Sequence, residues 1–180
     1  MESCSNNIIE ENYIYDIKGG KGGDSGPEHG GEGGYSYGIY LINSENNLVS
    51  INTILNITGG NGGNSVISGS GKGGKSLGIC LDLSNNNEIS NNDIISLNGG
   101  NGGRGSTCRN GGTAIAIHMS NSNLNTILYN SISLLYGGKG GEKPPSYNGG
   151  KGGDSIGIFI ELSSENIIEQ NLISVLDGGT

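Results

Sequence analysis

The chain has 180 residues, including 37 glycines and no tryptophan, and its net charge is −8. This length suits one domain with a core of its own, and the negative net charge argues against binding to nucleic acid or to an anionic membrane surface. No apolar run approaches the roughly 18 residues of a membrane span, and the N-terminus lacks the pattern of a signal peptide, so we expect no membrane insertion.

Pairs of glycines mark an internal repeat of about 40 residues. They start at Gly19, Gly59, Gly99, Gly137 and Gly178. The first four pairs open glycine-rich insertions at residues 19–37, 59–77, 99–115 and 137–156. The segment between insertions is nearly free of glycine, and the motifs GIYL, GICL, AIHM and GIFI each begin 21 residues before the next pair. This constant length indicates that the segment is held in register against its copies, as in a solenoid.

The constant segment is predicted to form three short strands. Apolar residues alternate in its first part, at Ile39 and Leu41 in the first complete copy, which is typical of a strand with these side chains turned inward. Three further columns are apolar and rich in β-branched residues, and each is predicted to face the core. These columns are Ile9, Val49, Ile89, Ile127 and Ile168; Ile14, Ile54, Ile94, Ile132 and Ile173; and Ile17, Ile57, Leu97, Leu135 and Leu176.

Two polar columns hold asparagine in every copy. They are Asn7, Asn47, Asn87, Asn125 and Asn166, and Asn12, Asn52, Asn92, Asn130 and Asn171. Asparagine tolerates the left-handed conformation and bonds to its own backbone in turns, so we expect these residues at the corners of the coil. Stacked turn on turn, their side-chain amides are also expected to hydrogen-bond along each column as ladders.

Three short strands with asparagine corners make one turn of a parallel β-helix. The stretch GIYLINSENNLVSINTILNI, residues 38–57, resembles the right-handed β-helix repeats of the pectate-lyase-like superfamily, especially the NosD-type repeats of periplasmic and cell-surface proteins. The resemblance covers the constant segments, about half the chain, and implies an all-β, right-handed parallel β-helix of about four to five turns. It implies no single activity, because lyases, hydrolases, adhesins and tail spikes share this fold.

The insertions repeat two glycines and one other residue, which is the three-residue period of a polyproline-II helix. Glycine runs at both ends of an insertion predict an outward leg, a tip and a return leg. Legs of neighbouring turns would lie about 4.8 Å apart, so we expect them to bond side by side as a polyglycine-II layer along one edge of the coil. Similar glycine-rich segments occur in phage tail-fibre tip adhesins and in a class of insect antifreeze proteins, while a structureless loop is the alternative.

Two kinds of exposed residue are predicted in these insertions. The third residue of each triplet is expected to point to water, as for Lys21, Glu32, Asn61, Lys72, Asn101, Lys139 and Lys151. The tips between the legs are the predicted contact points for a partner. The candidate contact residues are Pro27, Glu28, His29, Arg109, Pro145 and Tyr147.

One alternative would place chemistry on the first strand of each turn. Asp82 and Glu161 face outward two turns apart, about 9.6 Å from the strand spacing, with His118 between them. This separation is near that of an inverting carboxylate pair in a polysaccharide-cleaving enzyme. No repeated acidic cluster or basic residue accompanies the pair, so we interpret the face as a solvated strand.

Metal and cofactor sites are not predicted. The three cysteines, at positions 4, 80 and 108, lack metal-ligand spacing, and their odd number decides nothing about compartment. Asp24, Glu28 and His29 cluster in the first insertion, but one histidine with two carboxylates is typical of a polar loop tip.

The sequence therefore predicts a non-enzymatic structural or adhesive β-solenoid module of an extracellular surface protein or fibre. Both ends of the coil are expected to be open, which favours stacking on neighbouring repeats of a longer chain or on another copy, end to end in a filament. A surface glycan or receptor is a further predicted partner. A carbohydrate-active enzyme and an ice-binding protein are the alternative functions.

Overall fold

The computed structural model describes residues 1–142 and 149–180, and within them each turn adds one strand to each of three parallel sheets. The first-strand sheet contains β3 (Ser36–Ile42), β6 (Ser76–Asp82), β9 (Ala114–Ser120) and β12 (Ser155–Glu161). The second contains β1 (Ile8–Glu10), β4 (Leu48–Ser50), β7 (Glu88–Ser90), β10 (Thr126–Leu128) and β13 (Ile167–Glu169). The third contains β2 (Tyr13–Tyr15), β5 (Thr53–Thr58), β8 (Asp93–Asn98), β11 (Ser131–Tyr136) and β14 (Leu172–Asp177).

Strand pairing joins equivalent residues of successive turns. Ile39 pairs with Ile79 in the first-strand sheet, Val49 pairs with Ile89 in the second, and Ile54 pairs with Ile94 in the third. The prediction of an all-β parallel solenoid, with about four turns and a period of about 40 residues, is confirmed.

The predicted apolar columns form the core. In the inner turns Val49, Ile54 and Ile57 are fully buried, as are their equivalents in the next two turns. Complete burial of a side chain of this size contributes about 1.5–3 kcal/mol to stability. Cover is incomplete in the last turn, where the same columns remain 41–43% exposed at Ile168, Ile173 and Leu176.

Left-handed residues recur at four positions of every turn, and none of them is a glycine. In the second turn they are Asn43, Asn46, Ile51 and Asn56, with φ between 45° and 57°. The expectation that the invariant asparagines adopt this conformation is wrong, because in each corner the residue before the ladder asparagine does so. The side chain that follows the left-handed residue can then point into the coil.

Replacing Ile51 by Asn is expected to stabilise the fold by about 1 kcal/mol. A β-branched residue is strained at φ 54°, whereas Asn tolerates this region, and the Ile51 side chain is 51% exposed. The next turn supplies the reciprocal control, since Asn91 has the same φ, and Asn91→Ile should destabilise by a similar amount. Denaturant midpoints of both variants would test this; shifts in the same direction would contradict it.

Each glycine insertion extends as two legs beside the coil. The outward legs are residues 19–24, 59–64, 99–104, 137–142 and 178–180, and the return legs are residues 30–35, 70–75, 108–113 and 149–154. No described glycine has a positive φ, so the legs do not need glycine for its conformational freedom. They need it for space: at Gly60, Gly63 or Gly100 a Cβ atom would lie closer than 3.0 Å to backbone atoms of a neighbouring leg.

Backbone donors in the legs follow a three-residue cycle. The first residue of a triplet donates to the equivalent leg of the next turn, as Gly22 N does to Asn61 O at 2.8 Å. The second donates across to a leg of the other kind, as Gly60 N does to Gly34 O at 2.9 Å. The third faces solvent, and several of these N–H groups donate to a side chain of the preceding turn, as Asn101 N does to Asn61 Oδ1 at 2.8 Å. The layer is therefore bonded within each row of legs and between the two rows.

Candidate functional site

The two asparagine columns lie inside the coil as continuous ladders. Asn52 donates to Asn92 Oδ1 through both its backbone N–H and its side-chain amide, at 3.0 Å each, and Asn92 does the same to Asn130. The second amide hydrogen of Asn92 goes to the Val49 carbonyl at 2.9 Å. The inner members are at most 2% exposed, so their role is to satisfy polar groups at two corners of the coil. These members are Asn47, Asn87 and Asn125, and Asn52, Asn92 and Asn130.

A third ladder, made of serines, was not predicted. Ser44 N donates to Ser84 Oγ at 3.1 Å, and Ser84 N donates to Ser122 Oγ at 3.0 Å. Each hydroxyl then donates to the carbonyl two residues before it, as Ser84 does to Asp82 O at 2.9 Å. This ladder could have been predicted from the repeat, because a serine stands six residues after the start of GIYL and of each of its equivalents.

The predicted contact residues fall into three groups. Pro27, Glu28 and His29 form the exposed first tip, where the His29 ring lies 3.3 Å from Ser68 Oγ of the next turn. Arg109 is exposed but belongs to a return leg rather than to a tip, because its carbonyl accepts a bond from an outward-leg glycine. The other two, at positions 145 and 147, lie outside the described residues.

The second tip exposes two apolar side chains that were not predicted as contacts. Val66 is 79% exposed and Ile67 is 68% exposed. Together with the first tip they place apolar and titratable groups side by side at the far edge of the glycine layer.

The outer face of the first-strand sheet carries a packed cluster and not the solvated strand that we expected. Tyr37 and Tyr40 stack at 4.7 Å between ring centroids, and His118 and Phe159 stack at 5.4 Å. Leu77 beneath them is only 3% exposed. The cluster is explained by the large rings, which cover each other and the small side chains between them. A cavity of about 140 Å³ opens here, lined by Tyr35, Tyr37, Tyr40, Lys75, Leu77, Cys80, Asp82, His118 and Ser120.

Within this cluster a thiol, an imidazole and a carboxylate lie in contact. Cys80 Sγ is 3.6 Å from His118 Nδ1, and His118 Nε2 is 3.1 Å from Glu161 Oε1. The order matches nucleophile, base and orienting carboxylate, but a reactive thiol needs a lowered pKa. Burial, assisted by the charge of Asp82, instead raises the pKa of Cys80 to about 12. The thiol is thus protonated at neutral pH, and the arrangement does not favour nucleophilic chemistry.

Stability is expected to fall as the pH rises from 9 toward 12. The pKa of Cys80 is raised from 9.0 to about 12, so the unfolded chain loses this proton first; the stabilisation is complete below pH 9 and is lost above it. Burial also raises the pKa of Tyr37, to about 12, with the same sign. Urea midpoints between about pH 8 and pH 11 should decline less in Cys80→Ala than in the control Cys4→Ala. Equal declines would contradict the assignment.

Metal and membrane features can be stated for residues 1–142 and 149–180. No three His, Cys, Asp or Glu side chains are placed there to hold a metal ion. The same residues form no apolar helix of membrane-spanning length.

Three parallel sheets with a cross-bonded glycine layer define a parallel β-solenoid that carries polyglycine-II legs. No family model and no curated protein matches the sequence. Among solved structures the chain is similar to the springtail antifreeze protein of Granisotoma rainieri, a bundle of nine polyproline type II helices on which crystal waters match the ice lattice. The two are 19% identical over 80% of this chain and 94% of that chain, with a TM-score of 0.20. A TM-score this low does not establish a shared fold.

Proposed function

We propose that this chain is a non-enzymatic structural and adhesive module of an extracellular surface protein or fibre. The observation that carries the proposal is the double bonding of the glycine legs, within each row and between rows. Such bonding turns an otherwise flexible glycine-rich segment into a stiff slab with polar side chains at fixed spacing. The resemblance of the constant segments to NosD-type repeats of periplasmic and cell-surface proteins supports the same location.

End-to-end stacking of the coil is the second part of the proposal. Ile168, Ile173 and Leu176 are 41–43% exposed, although the same columns are fully buried one turn earlier. A further turn of the same design would cover them, supplied by neighbouring repeats of a longer chain or by a second copy stacked end to end.

Binding and assembly can be tested on the chain as it stands. Beads coated with the protein are expected to retain cells or immobilised surface glycans, and electron microscopy at rising concentration would detect end-to-end filaments. Incubation with polysaccharides should release no fragments, and Asp82→Ala with Glu161→Ala should change nothing. Cleavage lost in that double variant would replace the proposal with the carbohydrate-active enzyme, and absence of any cell or glycan retention would remove the adhesive role.

Ice binding is a second candidate, favoured by the regular spacing of exposed side chains on the outward legs. Columns in this layer repeat at about 4.8 Å between turns and about 9 Å along a leg. Against it stand the charged residues among these side chains, such as Lys21, Arg104 and Lys139. Thermal hysteresis of the purified chain decides between the two, because an adhesive module should show none.

A further inference from the structure

The charges of this chain are separated between its two layers. The four insertions, residues 19–37, 59–77, 99–115 and 137–156, contain eight of the nine basic residues but only five of the seventeen acidic ones. They therefore carry a net charge of +3, whereas the rest of the chain, with one basic and twelve acidic residues, carries −11. The whole-chain charge of −8 conceals a basic glycine layer beside an acidic coil.

The side chains of the outward legs form a regular exposed face, which we name the outward-leg face. It has three columns parallel to the solenoid axis: the residue just before each leg points outward, and so does every third residue of the leg after it. The near column is Lys18, Thr58, Asn98, Tyr136 and Asp177; the middle column is Lys21, Asn61, Asn101, Lys139 and Thr180; the far column is Asp24, Asn64, Arg104 and Glu142.

The middle column presents hydrogen-bond donors and few acceptors. Asn61 Oδ1 accepts the Asn101 N–H at 2.8 Å, and Asn101 Oδ1 accepts the Lys139 N–H at 2.9 Å. Because a backbone N–H can only donate, the amide oxygen must face it and the NH₂ group must turn away. Neither Asn61 Nδ2 nor Asn101 Nδ2 has an acceptor among the described residues. These two amides, followed by the Lys139 ammonium, form a row of outward donors.

The far column repeats this chemistry. Asp24 Oδ1 accepts the Asn64 N–H at 2.7 Å, and Asn64 Oδ1 accepts the Arg104 N–H at 2.8 Å. The other oxygen of Asp24 is held by Lys21 Nζ at 2.8 Å, and this bond, with the Asn64 bond, lowers the pKa of the carboxyl. Both carboxylate oxygens of Asp24 thus already accept hydrogen bonds. The next two residues of the column supply donors, the Asn64 amide and the Arg104 guanidinium.

Two grooves run between these columns. One has a volume of about 450 Å³, lies between the near and middle columns and is floored by glycines such as Gly99 and Gly137. The other has a volume of about 530 Å³, lies between the middle and far columns and is floored by Gly102 and Gly140. Both are open along the solenoid axis, because successive turns repeat the same walls. Their carboxylates stand toward the last turns, Asp177 in the first groove and Glu142 in the second.

We propose that the outward-leg face binds a linear anionic polysaccharide, bearing carboxylate or sulfate groups, along these grooves. This deepens and rests on the proposed adhesive function, and it moves the main contact from the loop tips to the legs. Outward amides suit the hydroxyl and ring oxygens of a sugar chain, and the cations Arg104 and Lys139 suit its anionic groups. Nucleic acid fits less well, because a duplex carries about one negative charge per 1.7 Å. The few cations of this face cannot neutralise charges at that density.

One substitution removes an outward donor and keeps the hydrogen bond that the same side chain makes to the backbone. In Asn101→Asp an oxygen still accepts the Lys139 N–H, as Asp24 does for Asn64 in this chain, but the outward NH₂ becomes an anion. The return legs provide a matched control, because Asn110 Oδ1 accepts the Lys151 N–H at 3.1 Å and Asn110→Asp makes the same exchange on the opposite face.

Binding to polygalacturonate and chondroitin sulfate should be measured by calorimetry at low salt, with neutral dextran and a short DNA duplex as competitors. We expect Asn101→Asp to weaken polyanion binding about tenfold and Asn110→Asp to change it less than about twofold, at unchanged melting temperature. Equal losses in both variants, or tighter binding of the DNA duplex, would overturn the proposal. Retention of cells or other glycans that is insensitive to Asn101→Asp would refute this groove and leave the adhesive function standing.

Discussion

Gly100→Ala is expected to destabilise the chain by more than about 3 kcal/mol, or to prevent folding of the glycine layer altogether. The new Cβ atom would lie closer than 3.0 Å to three backbone atoms of the preceding turn, among them the carbonyl oxygens of Gly59 and Gly60. A backbone bonded on both sides cannot move away without breaking further hydrogen bonds, so the overpacking cost falls at or above the usual upper end. Chemical denaturation followed by circular dichroism would measure it.

The same substitution at the edge of the layer is the control. A Cβ on Gly20 meets nothing within 4 Å, so Gly20→Ala should be neutral or stabilising by up to about 1 kcal/mol through the unfolded state. Gly34→Ala, whose Cβ would lie 3.1 Å from Gly20 N, should fall between the two and keeps the test informative if Gly100→Ala does not fold. Three equal effects would mean that the legs are not packed against each other.

Asn92→Ala is expected to cost about 4 kcal/mol, because it breaks the second asparagine ladder at its centre. The backbone N–H of Asn52 loses its acceptor, and the Asn52 side-chain amide loses one of its acceptors. Asn130 Oδ1 and the Val49 carbonyl each lose the donor that the Asn92 side-chain amide supplied. Asn92 is fully buried, so water cannot replace these bonds without opening the coil. Each buried group left unpaired costs about 1–3 kcal/mol.

Asn12 allows the same change where the ladder begins. Its side chain is exposed and donates to Asn52 Oδ1 at 2.9 Å, but its own Oδ1 accepts no bond among the described residues. Asn12→Ala should therefore cost no more than about 1 kcal/mol. Comparable unfolding free energies for the two variants would show that the ladder does not act through buried, unpaired groups.

The fold could be predicted from the sequence because the internal repeat aligns equivalent positions of successive turns. A column such as Val49, Ile89 and Ile127 is apolar in every turn, which neither chance nor a surface position explains. The left-handed corners were harder to find, because the residues there share no side-chain type: Ile51 and Asn91 occupy the same position. That conformation is imposed by the coil through its stacked backbone bonds, and local preference is overridden.

Less of the candidate site could be predicted. The exposed third residues of the triplets, such as Asn61 and Asn101, were read from the glycine pattern, and they are exposed in the structure. Which end of each amide faces outward depends on a backbone N–H in the next turn, and no sequence pattern contains that pairing. The stacking of Cys80 on His118, by contrast, could be predicted, because the two residues stand third in the equivalent motifs GICL and AIHM.

The three-residue donor cycle sets a rule for how such insertions can change length. The four insertions, counted from the glycine pair to the start of the constant segment, have lengths of 19, 19, 17 and 20 residues. Their legs nevertheless stay in register. The whole difference lies in the number of residues between the two legs, which is five, five, three and six in chain order. The connection between two legs can therefore change in length by single residues, whereas a leg can grow only by whole triplets, each adding about 9 Å of reach. The distance that an insertion projects from the coil and the sequence at its tip can thus vary independently of each other.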